Sequence, residues 1–335
     1  AIQRRENDLV AASFGRGFFI LDDYAPLRAL TDQELAQEGS LFPVRRARWY
    51  VERETLGGRG PADQGAGYFV APNPPFGAVF TYCLREPLRS RKEQRRAREK
   101  PLEAQGKDSP YPGWEELDRE AREETPAVVL TVRDRDGEVV RRLEGPVTAG
   151  IHRVAWDLRY PDVEPVTALP GKEEPEEEWD RRYGVLVEPG TYSVTLSKRV
   201  GGVLTELAGP QPFEVARLRD GALPGASPEE ATTFYRRVAE VERAVAGASK
   251  ALAGARERAK LMAVALERSR VSPGGALDAE VRELERRLVD LALALDGGGA
   301  RQEIGEPVVP SVVRRLQVAR AGRGGSTYGP TATHR

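Results

Sequence analysis

Cysteine is almost absent from this sequence. Cys83 is the only one, so no intrachain disulfide can form. Histidine is nearly as scarce, with His152 and His334 alone. Neither has Cys, His or acidic neighbours at metal-ligand spacing, so the sequence predicts no zinc site. A Ser-His-Asp arrangement would have to use His152, because His334 lies in the tail, and no nucleophile-elbow motif is present. Gly15-Arg16-Gly17 lacks the spacing and the following helix of a phosphate loop. Charge of one sign is missing too. Lys and Arg number 51 against 52 Asp and Glu, a formal net charge of -1. Nothing in that balance favours nucleic acid or an anionic membrane as partner. No apolar run approaches the ~20 residues a membrane helix needs. Met262 is the only methionine and the chain opens at Ala1, so the native start is expected upstream. No signal peptide is visible, which on that reading says nothing of location.

What is present divides into β-rich and helical parts. Leu9 to Ser13 and Phe18 to Leu21 read as two apolar strands, with Gly15 and Gly17 supplying turn conformations. A lone hairpin is marginal in water, so this one is expected to be the last piece of a larger sheet. Asp22 to Ser40 reads as a linker with a short polar helix from Asp32 to Gln37. From Leu41 to about Ala216 the chain alternates as strands do. Phe80, Tyr82 and Leu84 alternate with Val79, Thr81 and Cys83; Val128, Leu130 and Val132 with Val129 and Thr131; Val154, Trp156 and Leu158 with Arg153, Ala155 and Asp157. Tyr192, Val194 and Leu196 repeat the pattern, and Gln211 to Val215 closes the set. Short strands separated by turns favour a β-sandwich. Arg85 to Thr125, rich in Arg and Glu, is expected as a charged helical excursion or as partly disordered chain. The acidic run Glu173 to Asp180 is expected in a surface loop. From Ser227 the period is helical: N-cap Ser227, then Pro228, Glu229 and Glu230. Phe234, Val238, Val241, Val245, Ala248 and Leu252 make one stripe, in a helix expected to reach about Arg270. Leu277, Val281, Leu284, Leu288, Leu291 and Leu295 make a second, ended by Gly297-Gly298-Gly299. A third helix is expected over Val309 to Ala319.

Several motifs point further. They are Val10-Ala11-Ala12-Ser13-Phe14-Gly15-Arg16-Gly17-Phe18-Phe19-Ile20-Leu21-Asp22-Asp23, Pro72-Asn73-Pro74-Pro75-Phe76-Gly77-Ala78, Tyr111-Pro112-Gly113-Trp114-Glu115-Glu116-Leu117, Gly150-Ile151-His152-Arg153-Val154-Ala155-Trp156-Asp157-Leu158-Arg159-Tyr160-Pro161, Pro189-Gly190-Thr191-Tyr192-Ser193-Val194-Thr195-Leu196, and the closing Pro330-Thr331-Ala332. On these the chain resembles the C-terminal region of bacterial BNR-repeat, sortilin-type β-propeller proteins of the glycosyl-hydrolase group. The resemblance implies a mainly β fold with added α. Its expected parts are a remnant of the last propeller blade (1-25), a linker (26-40), an immunoglobulin-like, flagellar-hook-capping-type β-sandwich (41-216) with a charged helical insertion (85-125), a helical hairpin or three-helix bundle (227-321) and a tail (322-335). It implies an exported protein, in periplasm or medium, whose propeller contacts this region and carries any sialidase-like chemistry. A sortilin-like protein that binds protein or glycan without hydrolysis is the alternative.

The side chains that could carry chemistry have plainer readings beside them. His152, Asp157 and Arg159 could bind a sugar or carboxylate. With Trp156 turned into a core, Asp157 and Arg159 instead share the opposite face and can pair. The acid pairs Asp22-Asp23, Glu115-Glu116, Glu123-Glu124 and Glu176-Glu177-Glu178 could serve a glycosidase only across a cleft, and adjacent acids in polar runs are ordinarily solvated. Gly57-Gly58-Arg59-Gly60 reads as a loop. Trp49, Tyr50, Tyr68, Phe69, Phe76 and Tyr82 could stack on sugars but read more simply as core. No catalytic, cofactor-binding or metal residue is assigned, and no cofactor is implied.

Overall fold

The computed structural model describes residues 1-15, 17-52, 73-163, 184-270, 274-298, 303-305, 309-323 and 326-335. It is a mixed α/β chain in two compact units. One holds Ala1–Arg159 and Glu188–Asp220, the other Tyr160–Val187 and Gly221–Arg335.

The first unit opens with a three-stranded antiparallel meander, β1 (Ile2–Gln3), β2 (Asp8–Ser13) and β3 (Gly17–Leu21). The hairpin expected from the sequence is its β2–β3 half, with Leu9 opposite Leu21 and Ser13 opposite Gly17. Positive φ at Gly15 and Gly17 closes the turn. The stretch expected as a linker contains two helical turns, α1 (Ala25–Ala29) and α2 (Asp32–Ala36), the second capped by Thr31. It runs into a strand, β4 (Gly39–Leu41). Ser40 Oγ donates to the Glu34 carbonyl at 2.7 Å, and Arg85 donates to that of Ala36.

Seven further strands follow: β5 (Ala47–Trp49), β6 (Ala78–Leu84), β7 (Ala127–Arg133), β8 (Val139–Gly145), β9 (Gly150–Trp156), β10 (Gly190–Val200) and β11 (Val203–Arg217). They form a five-stranded sheet in the order β5-β11-β10-β7-β8 and, with β4, a three-stranded sheet β4-β6-β9. Every pair is antiparallel except β5 with β11. Aromatic side chains from both sheets share one core. Trp156 and Phe80 of the smaller sheet meet Tyr192 and Phe213 of the larger at ring separations of 5.4 to 6.2 Å. Trp156 is fully buried and its indole N–H donates to the Arg159 carbonyl at 3.0 Å. Tyr82, also buried, donates to the Pro146 carbonyl at 2.6 Å, and burial pushes its phenol up to about 12. The alternation over Val79 to Leu84 ordinarily marks a strand with one wet face. Here Thr81 and Cys83 on the second face are buried as well. Gly77, entering β6, has φ +97°, and a Cβ there would lie 1.9 Å from the Trp156 carbonyl oxygen. The glycine of the Pro-Phe-Gly motif is thus required by the close approach of the end of β9.

The charged excursion is two helices, α3 (Arg91–Ala104) and α4 (Trp114–Arg122). A capping box of Ser90 and Glu93 starts α3. Arg95 joins the pair: it grips both carboxylate oxygens of Glu120 at 2.6 and 2.9 Å and also bonds Glu99 at 2.8 Å. Hydrogen bonds from Arg95 hold Glu120 below the usual carboxylate range. A lowered carboxyl contributes stability above its unfolded pKa and loses it as pH falls through the folded one. Amide exchange in α3 and α4 is therefore expected to accelerate on acidification past the ordinary Glu range, and Arg95→Ala is expected to remove that pH dependence. An unchanged pH profile in the variant would count against the clamp.

The second unit is helical. α5 (Pro228–Glu267) starts on a Ser227–Glu230 capping box and runs 40 residues, about 60 Å. It is followed by α6 (Ala276–Asp296) and α7 (Val312–Arg320), and α7 touches both. Tyr160, Val163 and Val185 pack on Tyr235 and Ala239 in the first turns of α5. Thr232 Oγ1 donates to the Leu186 carbonyl, and Arg236 lies over the Tyr160 ring. Glu242 of α5 is buried and clamped by Arg320 at 3.1 Å and Arg323 at 2.5 Å. The tail returns to the start of α5, where the Tyr328 carbonyl accepts from the Ala226 N–H.

Candidate interaction surface

Among the described residues, those singled out for chemistry lie in separate places. Trp156 is core. The Asp157 carboxylate accepts from the Arg159 backbone N–H at 3.2 Å, a local turn bond. The residue between them, Leu158, has φ 55°. His152 Nε2 lies 2.6 Å from the Thr148 carbonyl, and its ring packs 5.2 Å from that of Tyr82. His334 Nδ1 accepts from the Thr331 N–H in the other unit. Glu115 and Glu116 pair with Arg119 along α4. Glu123 accepts from the Arg91 N–H, and Glu124 pairs with Arg199. Trp49 is buried with the Arg217 guanidinium over its ring, and Tyr50 meets Phe76 edge-on. Glu176 to Glu178, Gly57 to Gly60, Tyr68 and Phe69 lie outside the described residues. Among the described residues no cluster of three His, Cys, Asp or Glu could hold a metal ion, and no helix is long and apolar enough to cross a membrane.

The meander is where the unexpected geometry lies. Strand alternation puts Leu9, Ala11, Phe19 and Leu21 on one face and Val10, Ala12, Phe18 and Ile20 on the other. Both faces are apolar and both are open. Phe18 is 79% exposed, Ile20 63% and Phe19 60%, with Phe14 fully exposed at the turn. β3 is also an edge strand among the described residues, so its outer backbone groups have no ladder partner there. Covering Phe18, Phe19 and Ile20 would contribute on the order of 5 kcal/mol. The base of the meander, by contrast, is fixed. Arg45 donates to the Glu6 carbonyl at 3.0 Å and lies 3.6 Å from the Asp8 carboxylate. Arg48 reaches Glu6, and Arg153 of β9 donates to the carbonyls of Asp22 and Asp23 at 2.6 and 2.5 Å. Asp8 also accepts from the Asp23 N–H.

No family model, curated protein or solved structure matches this chain. Its function has to be argued from the surface itself. The Asp22-Asp23 pair, directly after β3, serves this surface through backbone carbonyls gripped by Arg153. What the meander offers a partner is apolar area on two sides and a backbone edge, attached to the β module by arginines. Sequence reasoning found the hairpin but not its two-faced character. The signal was the unbroken run Phe18-Phe19-Ile20-Leu21, which lacks the alternation of a strand with one wet face.

Proposed function

We propose that this chain is a non-catalytic accessory region whose meander belongs to a larger stack of β-sheets, with the β module as buttress. The observation that carries the reading is an antiparallel sheet with apolar, exposed side chains on both faces. An antiparallel sheet normally keeps one wet face. A sheet packed on both sides is what a propeller blade is, lying between two neighbours. On this reading the β module is an immunoglobulin-like sandwich, bolted to the last blade by Arg45, Arg48 and Arg153. The parent is an exported, BNR-repeat, glycosyl-hydrolase-like protein, and any sialidase-like chemistry belongs to its propeller. A sortilin-like capture of protein or glycan is the second reading. It is favoured by Tyr111 and Trp114, a perpendicular aromatic pair 5.9 Å apart, with both rings largely exposed beside α4.

The test is to make the meander polar. Phe18→Glu with Ile20→Lys should sharply reduce hydrophobic-dye binding by the chain and raise its solubility, while the melting of the β module stays within about 0.5 kcal/mol. A fluorogenic sialoside should not be turned over by either form. Dye binding unaltered by the double variant, or turnover by the chain, would overturn the proposal. Quenching of Trp114 emission by an oligosaccharide or peptide, lost in Trp114→Ala, would instead promote the second reading.

A further inference from the structure

The second unit carries an apolar row of its own, independent of the meander. Leu277, Leu284 and Leu291 recur on α6 at intervals of seven residues and are 52%, 40% and 58% exposed. Residues seven apart are about 20° short of two full turns, so the three make a nearly straight ridge. The neighbouring row of the same stripe differs: Leu288 is buried, and Val281 and Leu295 are half-buried. The apolar stripe of α6 is thus wider than its partners in the unit cover, and the leucine ridge is its uncovered margin.

We propose that this ridge is a self-association surface, on which two copies of the chain pair their α6 helices antiparallel about Leu284. The argument for a second copy is the symmetry of the ridge and of the charges beside it. Leu277 and Leu291 stand seven residues either side of Leu284, so a two-fold axis at Leu284 sets each against the other's counterpart and interdigitates three leucines with three. Glu280 and Arg287 lie on one flank of the ridge, four residues before Leu284 and three after it. The same axis brings Glu280 of each copy against Arg287 of the other. A parallel pair would instead place the two Glu280–Arg287 flanks on opposite sides of the seam, where neither charge meets its complement. Arg287 already bonds Glu283 along its own helix at 2.8 Å. That bond is exposed to solvent and leaves further guanidinium donors to share.

The experiment is sedimentation velocity on the full chain carrying the polar meander substitutions, so that association through β3 does not contribute. The expected result is a concentration-dependent dimer. Leu284→Glu should make it monomeric without loss of helical circular dichroism, since that side chain is exposed. Glu280→Arg should weaken the dimer about tenfold, and adding Arg287→Glu should restore it. A chain monomeric at all attainable concentrations would overturn the inference, and so would a double charge exchange no better than the single one. Neither result bears on the reading of the meander.

Discussion

Replacing Glu242 by alanine is expected to lower the stability of the helical unit by about 3–5 kcal/mol. The carboxylate is the only partner described for the Arg323 guanidinium, whose side chain is 9% exposed. Without it a cation remains in a nearly dry site between α5 and the turn after α7. Arg320, a third exposed, can turn to water, so Arg320→Ala should lose no more than about 1 kcal/mol. Removing both charges together is the informative control. Glu242→Met with Arg323→Met leaves no orphaned ion and should recover most of the loss, because a buried pair and an apolar pair of similar volume are often nearly equal. Denaturant titration followed by amide exchange in residues 312-323 measures this. Equal losses for Glu242→Ala and Arg320→Ala would show that burial of Arg323 is not what makes the pair matter.

The second large effect lies in the β module. Trp156→Ala should lower its stability by about 3–5 kcal/mol, because the ring fills the centre of the core against Tyr192 and Phe213, with no exposure to relax into. Trp156→Phe keeps an aromatic ring there but takes the indole donor from the Arg159 carbonyl, a loss nearer 1–3 kcal/mol. The difference between the two variants, read by urea unfolding with far-UV circular dichroism, separates packing from hydrogen bonding. A Trp156→Ala loss below about 1 kcal/mol would mean the two sheets do not share a core there.

What the sequence made legible was local. The start of α5 at Ser227 is written in four consecutive residues, and the structure shows the capping box they imply. The stripes on α5 and α6 and the strands β7, β9 and β10 follow from periods that one segment displays by itself. What it hid depends on distant partners. β1, β4 and β5 are two or three residues long, too short to show any period, and exist because a neighbouring strand pairs with them. The excursion of Arg and Glu gave only charge and helix propensity. That Arg95 would choose Glu120, across a turn, was not in its pattern. The two-faced meander was readable in Phe18 to Leu21. Its exposure was not, because exposure belongs to what surrounds a strand rather than to the strand.

The order in which the β module is threaded bears on how it is made. Val215 of β11 pairs with Ala47 of β5. A ribosome adding ~5–20 residues per second separates the two by some 170 residues, on the order of ten to thirty seconds. During that interval β6 and β9 have both emerged and can pair, with Phe80 and Trp156 on a face that awaits Tyr192 and Phe213. Residues 160-187 of the other unit are also synthesised in that gap, before the first unit can close. The nascent chain therefore carries an uncovered aromatic face only from the completion of β9 to that of Phe213 in β11, some 57 residues later, on the order of three to eleven seconds.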